Sequence, residues 1–484
     1  MNDCSLDNQW LFIDSKAFSL AIGMNQIKLP KEISRRKVLS TSLGCAGLSL
    51  TDFLKLRALG EKNKLASKGR AKSCIILFAW GGMSHLETWD PKPNGPSDMK
   101  GSFGTIPTAT PGIHIGEHMP YLAKQTNRLA IVRSMHHGSA AHGKAMYWNF
   151  TGHKPPQSDS AANLSPSSSD WPSLLSVISK FKEAPPGLPS AIRVPYPLVD
   201  NGTLQAGEYG GWLGSSYNPI VIRTPKGKEF GGVSRDLGAS RINPKEAINR
   251  EVLGSRLGLL SNLDHFSGIG NSIEDMNYFR GLATDMLMSP DVRKAFDLDL
   301  ESETTKSKFG NHICGQSMLL ARRLIEADVP IVTVACSAGD LNGSKGDHWD
   351  THADNFNRLK NTMLPAFDRP AAALLDDLSD RGMLDETLVV FLTEFGRTPK
   401  INGSAGRDHY PSCYSVALAG AGIQGGQVYG KSDKSGSEPA EKACGPADLH
   451  ATIFEAFGIP HKTTITDRLG RPFPISDGKP LPLT

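Results

Sequence analysis

Cys74-Ile75-Ile76-Leu77-Phe78-Ala79-Trp80, closed by Gly81-Gly82, is the stretch on which the fold turns. An apolar run without polar alternation reads as a strand covered on both faces. Leu129 to Val132, Pro330 to Ala335 and Thr387 to Thr393 repeat the pattern. Helical stretches lie between them, from His312 to Asp328 and from Asn355 to Arg381, and Gly382 supplies a stop signal for the second. Apolar strands alternating with helices predict an α/β fold, a doubly wound and mostly parallel sheet. Such sheets bind ligands beyond the carboxyl ends of their strands. The polar motifs of the chain fall there, after Trp80, Val132, Ala335 and Thr393.

A chain of 484 residues can bury a large core, and 39% hydrophobic with 21% charged residues is ordinary for a soluble globular protein. The formal charge of +4 is unevenly spread. Residues 1–70 hold 12 Lys/Arg against 6 Asp/Glu, and the remainder holds 41 against 43. No basic footprint for nucleic acid is left in the body of the protein. The surplus sits around Ser34-Arg35-Arg36-Lys37, before a mildly apolar run from Val38 to Leu54. That pattern resembles a bacterial twin-arginine export leader, and the run is too short and polar for a transmembrane helix. The expectation is a periplasmic or otherwise exported protein, with no stable transmembrane segment in its mature part. An amphipathic surface helix with a basic start is the alternative. Residues 71–484 then form one α/β domain with a loop-rich insertion at about 154–310. Cys74, Cys314, Cys336, Cys413 and Cys444 show no CxxC spacing, which argues against a disulfide scaffold or a zinc ribbon.

Four polar stretches carry the chemistry. The first runs from Gly81-Gly82 to Pro93. Its glycines allow a sharp turn close to a ligand, and His85, Glu87 and Asp90 are candidate ligands, with a turn capped by Asp90 as the plainer reading. The second, Arg133 to Lys144, holds His136, His137 and His142. A helix is expected from near His142, its free N–H groups favouring an anion, while His136 reads as a buried structural histidine. The third and richest is Asp347-His348-Trp349-Asp350-Thr351-His352-Ala353-Asp354. Carboxylate oxygen and imidazole nitrogen suit zinc, manganese or iron, against the competing reading of a solvated polar loop. The fourth is Thr393-Glu394-Phe395-Gly396-Arg397-Thr398-Pro399 with Gly406-Arg407-Asp408-His409-Tyr410. Glu394 ends a buried strand, where a carboxylate is costly unless paired or metal-bound, and pairing with Arg397 is the plain structural reading that competes with metal. Asp408 is placed to orient His409.

Together with Ser34-Arg35-Arg36, these motifs resemble a bacterial family of unknown function, exported by the twin-arginine route and distantly related to sulfatases and alkaline phosphatases. The resemblance implies an alkaline-phosphatase-like α/β fold with metal at the carboxyl edge of the sheet, and hydrolysis of a sulfate or phosphate ester. By position, Asp350, His352 and His409 match one metal's ligands, and Glu394 an acidic ligand after a later strand. Asp448 to Ile459 resembles the closing helix, with Asp448 as its N-cap and Leu449, Ile453 and Phe457 on one face. The chain also departs from the pattern. Gly81-Gly82 stand where sulfatases carry acidic residues, so Glu87 or Asp90 would have to substitute. Glu394-Phe395 stands in place of an Asp-His pair. His142 stands nine residues before Thr151-Gly152, where sulfatases place a modifiable Cys or Ser, and a formylglycine mechanism is not supported.

The resulting expectation is an exported metal-dependent hydrolase of sulfate or phosphate esters. A divalent metal, with zinc favoured but not distinguished from manganese or calcium, would sit on Asp350, His352, His409 and Glu394, helped by Glu87 or Asp90. Water or His142 would attack, and Arg397, Lys144 or the helix N-terminus would hold the anionic group. The expected partner is an anionic ester such as a sulfated polysaccharide. The missing nucleophile motif leaves a non-catalytic binding or scaffold protein on the same fold as the alternative.

Overall fold

In the computed structural model the opening apolar run forms the strand β1 (Ser73–Ala79), buried along its whole length. The structure describes residues 69–156, 164–200, 202–222, 255, 271–337 and 348–484, all within one compact unit, Lys64–Thr484. Seven more strands join β1: β2 (Leu129–Met135), β3 (Ala191–Val194), β4 (Ile220–Val221), β5 (Ile331–Ala335), β6 (Thr387–Thr393), β7 (Tyr414–Ala419) and β8 (Gln427–Tyr429). Their order across the sheet is β8-β2-β7-β6-β1-β5-β3-β4. Every pairing is parallel except those of β7, which runs against both β6 and β2. The result is a mixed α/β architecture around a large, mostly parallel sheet. Its central strands are apolar on both faces because helices cover both.

Four helices matter for the site: α1 (His142–Thr151), α2 (Ile313–Glu326), α3 (Leu364–Asp380) and α4 (Pro446–Ala456). α2 starts where the sequence indicates, with His312 as N-cap accepting the Gly315 N–H at 3.2 Å. At α4 the expected cap is shifted. Gly445 is the N-cap, and Asp448 stands inside the first turn and accepts the Gly445 N–H at 2.9 Å. β2 runs three residues further than the apolar run suggested, because the ladder opposite β7 resumes past a bulge, where Met135 pairs with Tyr414. The stretch expected to be an insertion contributes β3 and β4 to the main sheet, with helices from 271 to 309. The twin-arginine motif and Asp347 lie outside the described residues. Among the described residues no helix is long and apolar enough to cross a membrane.

Candidate metal centre

Four segments meet at the carboxyl edge of the sheet. β1 is followed by Trp80-Gly81-Gly82 and β6 by Glu394, and α1 begins at His142, seven residues past the end of β2. The segment resuming at His348 is tied to the end of β1 by the Trp349 N–H, 3.1 Å from the Trp80 carbonyl. Gly81 is required here. Its φ is +112°, and a Cβ would lie 2.4 Å from the Asp350 nitrogen. A small antiparallel pair, Gly396–Arg397 with His409–Tyr410, brings His409 in beside Arg397.

Asp350 is the centre of the arrangement. Its Oδ2 lies 3.4 Å from His142 Nε2, and its Oδ1 lies 3.0 Å from His409 Nε2 and 3.2 Å from His352 Nε2. The Nε2 atoms of His352 and His409 are 2.9 Å apart. His142, Asp350 and His409 each offer a ligand atom within 4.8 Å of the others. Arg397, fully buried, donates to Asp350 Oδ1 at 2.5 Å and holds the carbonyls of Gly81, Gly82, Trp349 and Arg407.

A second ring of groups fixes the imidazoles. His409 Nδ1 lies 2.7 Å from the Ala140 carbonyl, which only accepts, so Nδ1 carries the hydrogen. His142 Nδ1 lies 2.8 Å from Glu394 Oε1, and His352 Nδ1 lies 2.7 Å from Asp408 Oδ1. Glu394 is itself held by the Gly81 N–H at 2.7 Å. Its carbonyl accepts from Asn149 Nδ2 at 2.8 Å and from His137 Nε2 at 2.6 Å. Tyr414 donates to Asn149 Oδ1 at 2.9 Å, so a chain of hydrogen bonds runs from β7 to the site. Carboxylate or carbonyl acceptors behind imidazoles are the arrangement that turns ring nitrogens toward a metal.

The charges follow from these contacts. Burial opposes the ionised form of Asp350, but His142, His409 and Arg397 hold its carboxyl well below the usual range. Burial likewise opposes a charged His142, yet the carboxylates of Asp350 and Glu394 outweigh it and raise its pKa to about 9. Burial pushes His409 down, against the pull of Asp350. In the metal-free protein His142 therefore carries a proton at neutral pH. Its folded pKa is raised, so the stability it adds is complete below about 6.5 and is lost as pH rises through about 9.

The structure gathers His142, Asp350, His352 and His409, with Glu394 one layer behind. Several expected roles change. His142 Nδ1 is taken by Glu394 and its Nε2 faces Asp350 among the candidate ligand atoms, and a nitrogen that binds metal is not available for covalent attack. Glu394 pairs with His142, not with Arg397, whose guanidinium goes to Asp350 instead of facing a substrate anion. Asp408 orients His352, not His409. Lys144 follows His142 by two residues on α1, which turns it to the other side of the helix. Glu87 is buried in a two-pronged ion pair with Arg407, at 2.7 Å and 3.1 Å. Asp90 is held by Lys92 at 2.9 Å, by Arg133 at 3.5 Å and by the Ser432 hydroxyl. Neither joins the group. His137, not His136, is the buried structural histidine; His136 is exposed. Asn149 has no local signal in the sequence: an asparagine inside a helix stands out only once Glu394 is placed beside it.

Glu394→Gln keeps a hydrogen-bond acceptor behind His142 but removes the charge. Metal affinity is expected to fall about 10–100-fold, as for other groups behind a metal ligand. Competition with a chromogenic chelator reads this directly, and unchanged affinity would show that Glu394 does not tune the site.

Fold and site together define an α/β protein with a histidine–carboxylate cluster at the carboxyl edge of its sheet. Residues 71–483 match the family DUF1501, described as a protein of unknown function, and the chain belongs to that family. No curated protein matches the chain. Among solved structures it is similar to a protein in the alkaline phosphatase superfamily from Vibrio parahaemolyticus, at 11% identity and a TM-score of 0.39 over 81% of this chain and 68% of that one. It is also similar to PsFucS1 sulfatase from Pseudoalteromonas sp., at 12% identity and a TM-score of 0.35 over 82% and 72%. The phosphonate monoester hydrolase SpPMH from Silicibacter pomeroyi gives 11% identity and a TM-score of 0.37 over 85% and 76%. At these scores the likeness carries no argument about reaction or substrate.

Proposed function

We propose that this protein is an exported, metal-dependent hydrolase of sulfate or phosphate esters, with a divalent cation held by His142, Asp350, His409 and His352. The observation that carries the reading is the convergence of three Nε2 atoms on one carboxylate while their Nδ1 atoms are held by acceptors. Neutral imidazoles so arranged turn lone pairs toward each other and toward anionic oxygen, which only a cation or shared protons can reconcile. The spacings also fit. Metal–ligand bonds of about 2.0–2.2 Å place neighbouring donors roughly 2.9–3.5 Å apart. The His352–His409, His409–Asp350, His352–Asp350 and His142–Asp350 pairs lie 2.9, 3.0, 3.2 and 3.4 Å apart.

Nitrogen and carboxylate donors favour zinc, with manganese next. When bound, the cation supplies Lewis acidity to an ester oxygen and to a water. The remaining work falls to the chain itself. Arg397 keeps Asp350 ionised and in place, Glu394 and Asp408 aim His142 and His352, and Trp80 and Phe395 pack beside His142. The ester class comes from the sequence resemblance. Sulfated polysaccharide as the substrate and twin-arginine export belong to the same proposal, the latter on Ser34-Arg35-Arg36. Elemental analysis of the purified protein, then turnover of aryl sulfates and phosphates before and after chelation, tests it. Failure to hold a stoichiometric transition metal would sink the reading. Metal without turnover would favour the non-catalytic alternative, which the absent Cys/Ser nucleophile already motivates.

Metal binding should also release protons. The cation competes with the proton that His142 carries below about pH 9. One proton per cation is expected near pH 7–8, with apparent affinity rising about tenfold per pH unit and levelling above about 9. Calorimetry in two buffers of different ionisation enthalpy counts it. No proton release would remove His142 from the ligand set.

A further inference from the structure

A cavity of about 250 Å³ opens at the end of the sheet opposite to the metal centre. Ala191 and Ile220, the first residues of β3 and β4, line it. Ala191 stands opposite Ile331, and Ile331 opposite Cys74. Gly81, beside the metal centre, is seven residues beyond Cys74, roughly 23 Å along the strand direction. The cavity therefore sits at the amino edge of the sheet and shares no lining residue with the cluster around Asp350.

Its lining joins aromatic rings to polar groups. Tyr217 comes from the turn before β4. Tyr278 and Phe279 come from the helix Asn271–Met288, with their rings 5.3 Å apart at 72°. Tyr278 is 44% exposed, so its ring is open to a ligand. Lys180 Nζ lies over the Tyr217 ring, 5.1 Å from its centroid. Lys180 and Glu183 are the charged residues of the lining, and among the described residues neither has an ion-pair partner. Asn218 Oδ1 accepts the Gly210 N–H at 2.7 Å, which fixes the amide and leaves its Nδ2 to donate elsewhere.

These features narrow the ligand. A cation is disfavoured, because Lys180 already occupies the Tyr217 face. An anion gains nothing overall from one cation and one carboxylate. An acyl chain would desolvate the ammonium, the carboxylate and the amide without giving them partners. A volume just under the ~300 Å³ at which ligand sites usually begin suits one ring with its substituents. A pyranose meets all of these demands. One face carries apolar C–H bonds that pack on an aromatic ring, and its hydroxyls both donate and accept. We propose that this cavity binds a neutral sugar ring, stacked on Tyr278 and hydrogen-bonded through its hydroxyls to Glu183, Lys180 and Asn218. Binding there is independent of any reaction at the metal centre.

Saturation-transfer NMR of the full chain with the methyl glycosides of glucose, galactose and mannose tests this. At least one of the three should bind saturably, with the strongest transfer to ring C–H protons of one face. Tyr278→Ala and Glu183→Gln should each weaken that binding about tenfold, the worth of one aromatic contact or one charge-assisted hydrogen bond. Both side chains are exposed, so fold and metal content should be retained in either variant. Binding should also persist after chelation, which separates the cavity from the metal centre. Binding of none of the three glycosides, loss of binding on chelation, or wild-type affinity in both variants overturns the proposal. So does binding of tetramethylammonium or p-cresol in place of the glycosides.

Discussion

Asp350→Ala should leave the protein without its metal and markedly less stable. Asp350 is the one carboxylate that all three Nε2 atoms face, so its removal takes away the anionic ligand and the element that holds the set together. It also strips the fully buried Arg397 of its carboxylate partner. Breaking a buried pair by deleting one side costs about 3–5 kcal/mol, because a desolvated charge is left behind. The lower end applies here, since Asp350 is 25% exposed and Arg397 keeps its backbone carbonyls. Asp350→Asn separates the two effects: it retains the shape and a hydrogen bond from Arg397 but removes the ligand charge. Metal analysis and denaturant unfolding of the metal-free proteins should show metal lost in both variants and the larger loss of stability in the alanine. A variant of either kind that keeps a full metal complement would remove Asp350 from the centre.

Glu87→Ala should do the opposite, costing stability and sparing the metal. Glu87 and Arg407 are 320 residues apart in sequence and both lie out of solvent, at 1% and 0% exposure. Glu87 takes Arg407 on both carboxylate oxygens, and the Ser84 hydroxyl also donates to it. Arg407 in turn holds the carbonyls of Thr398, Pro399 and Met99, which ties the first polar loop to the fourth. The alanine leaves that guanidinium buried and uncompensated, at about 3–5 kcal/mol. Metal bound per folded molecule should stay at the wild-type level, measured below the unfolding range. A stable Glu87→Ala protein that has lost its metal would instead restore Glu87 to the role its place after the first strand suggested.

Sequence reasoning reached far on the fold because strand burial is a local property. Runs such as Cys74–Trp80 and Thr387–Thr393 lack alternation, and the structure covers both faces of those strands. It missed β3 and β4, which are too short to stand out among the prolines and glycines around them. In the site, Asp350, His352, His409, Glu394 and His142 were all legible as polar residues at the carboxyl ends of strands. Their roles were not. Arg397 lies three residues from Glu394, and a local pairing competed with a substrate-binding role for it, yet it reaches Asp350, 47 residues earlier. Asp408 is adjacent to His409 but aims away from it, toward His352.

By itself, then, the sequence determined a mostly parallel α/β sheet and the edge where its chemistry gathers, because side-chain periodicity and the run of apolar residues act over a few neighbours. Which acid faces which base was decided only by tertiary structure. Hydrogen bonds and ion pairs are won over a few ångströms between segments far apart in the chain, and Gly81 lets Asp350 approach to within such a distance. That choice of partners makes Asp350 the candidate centre of the metal site and Glu87 a structural residue.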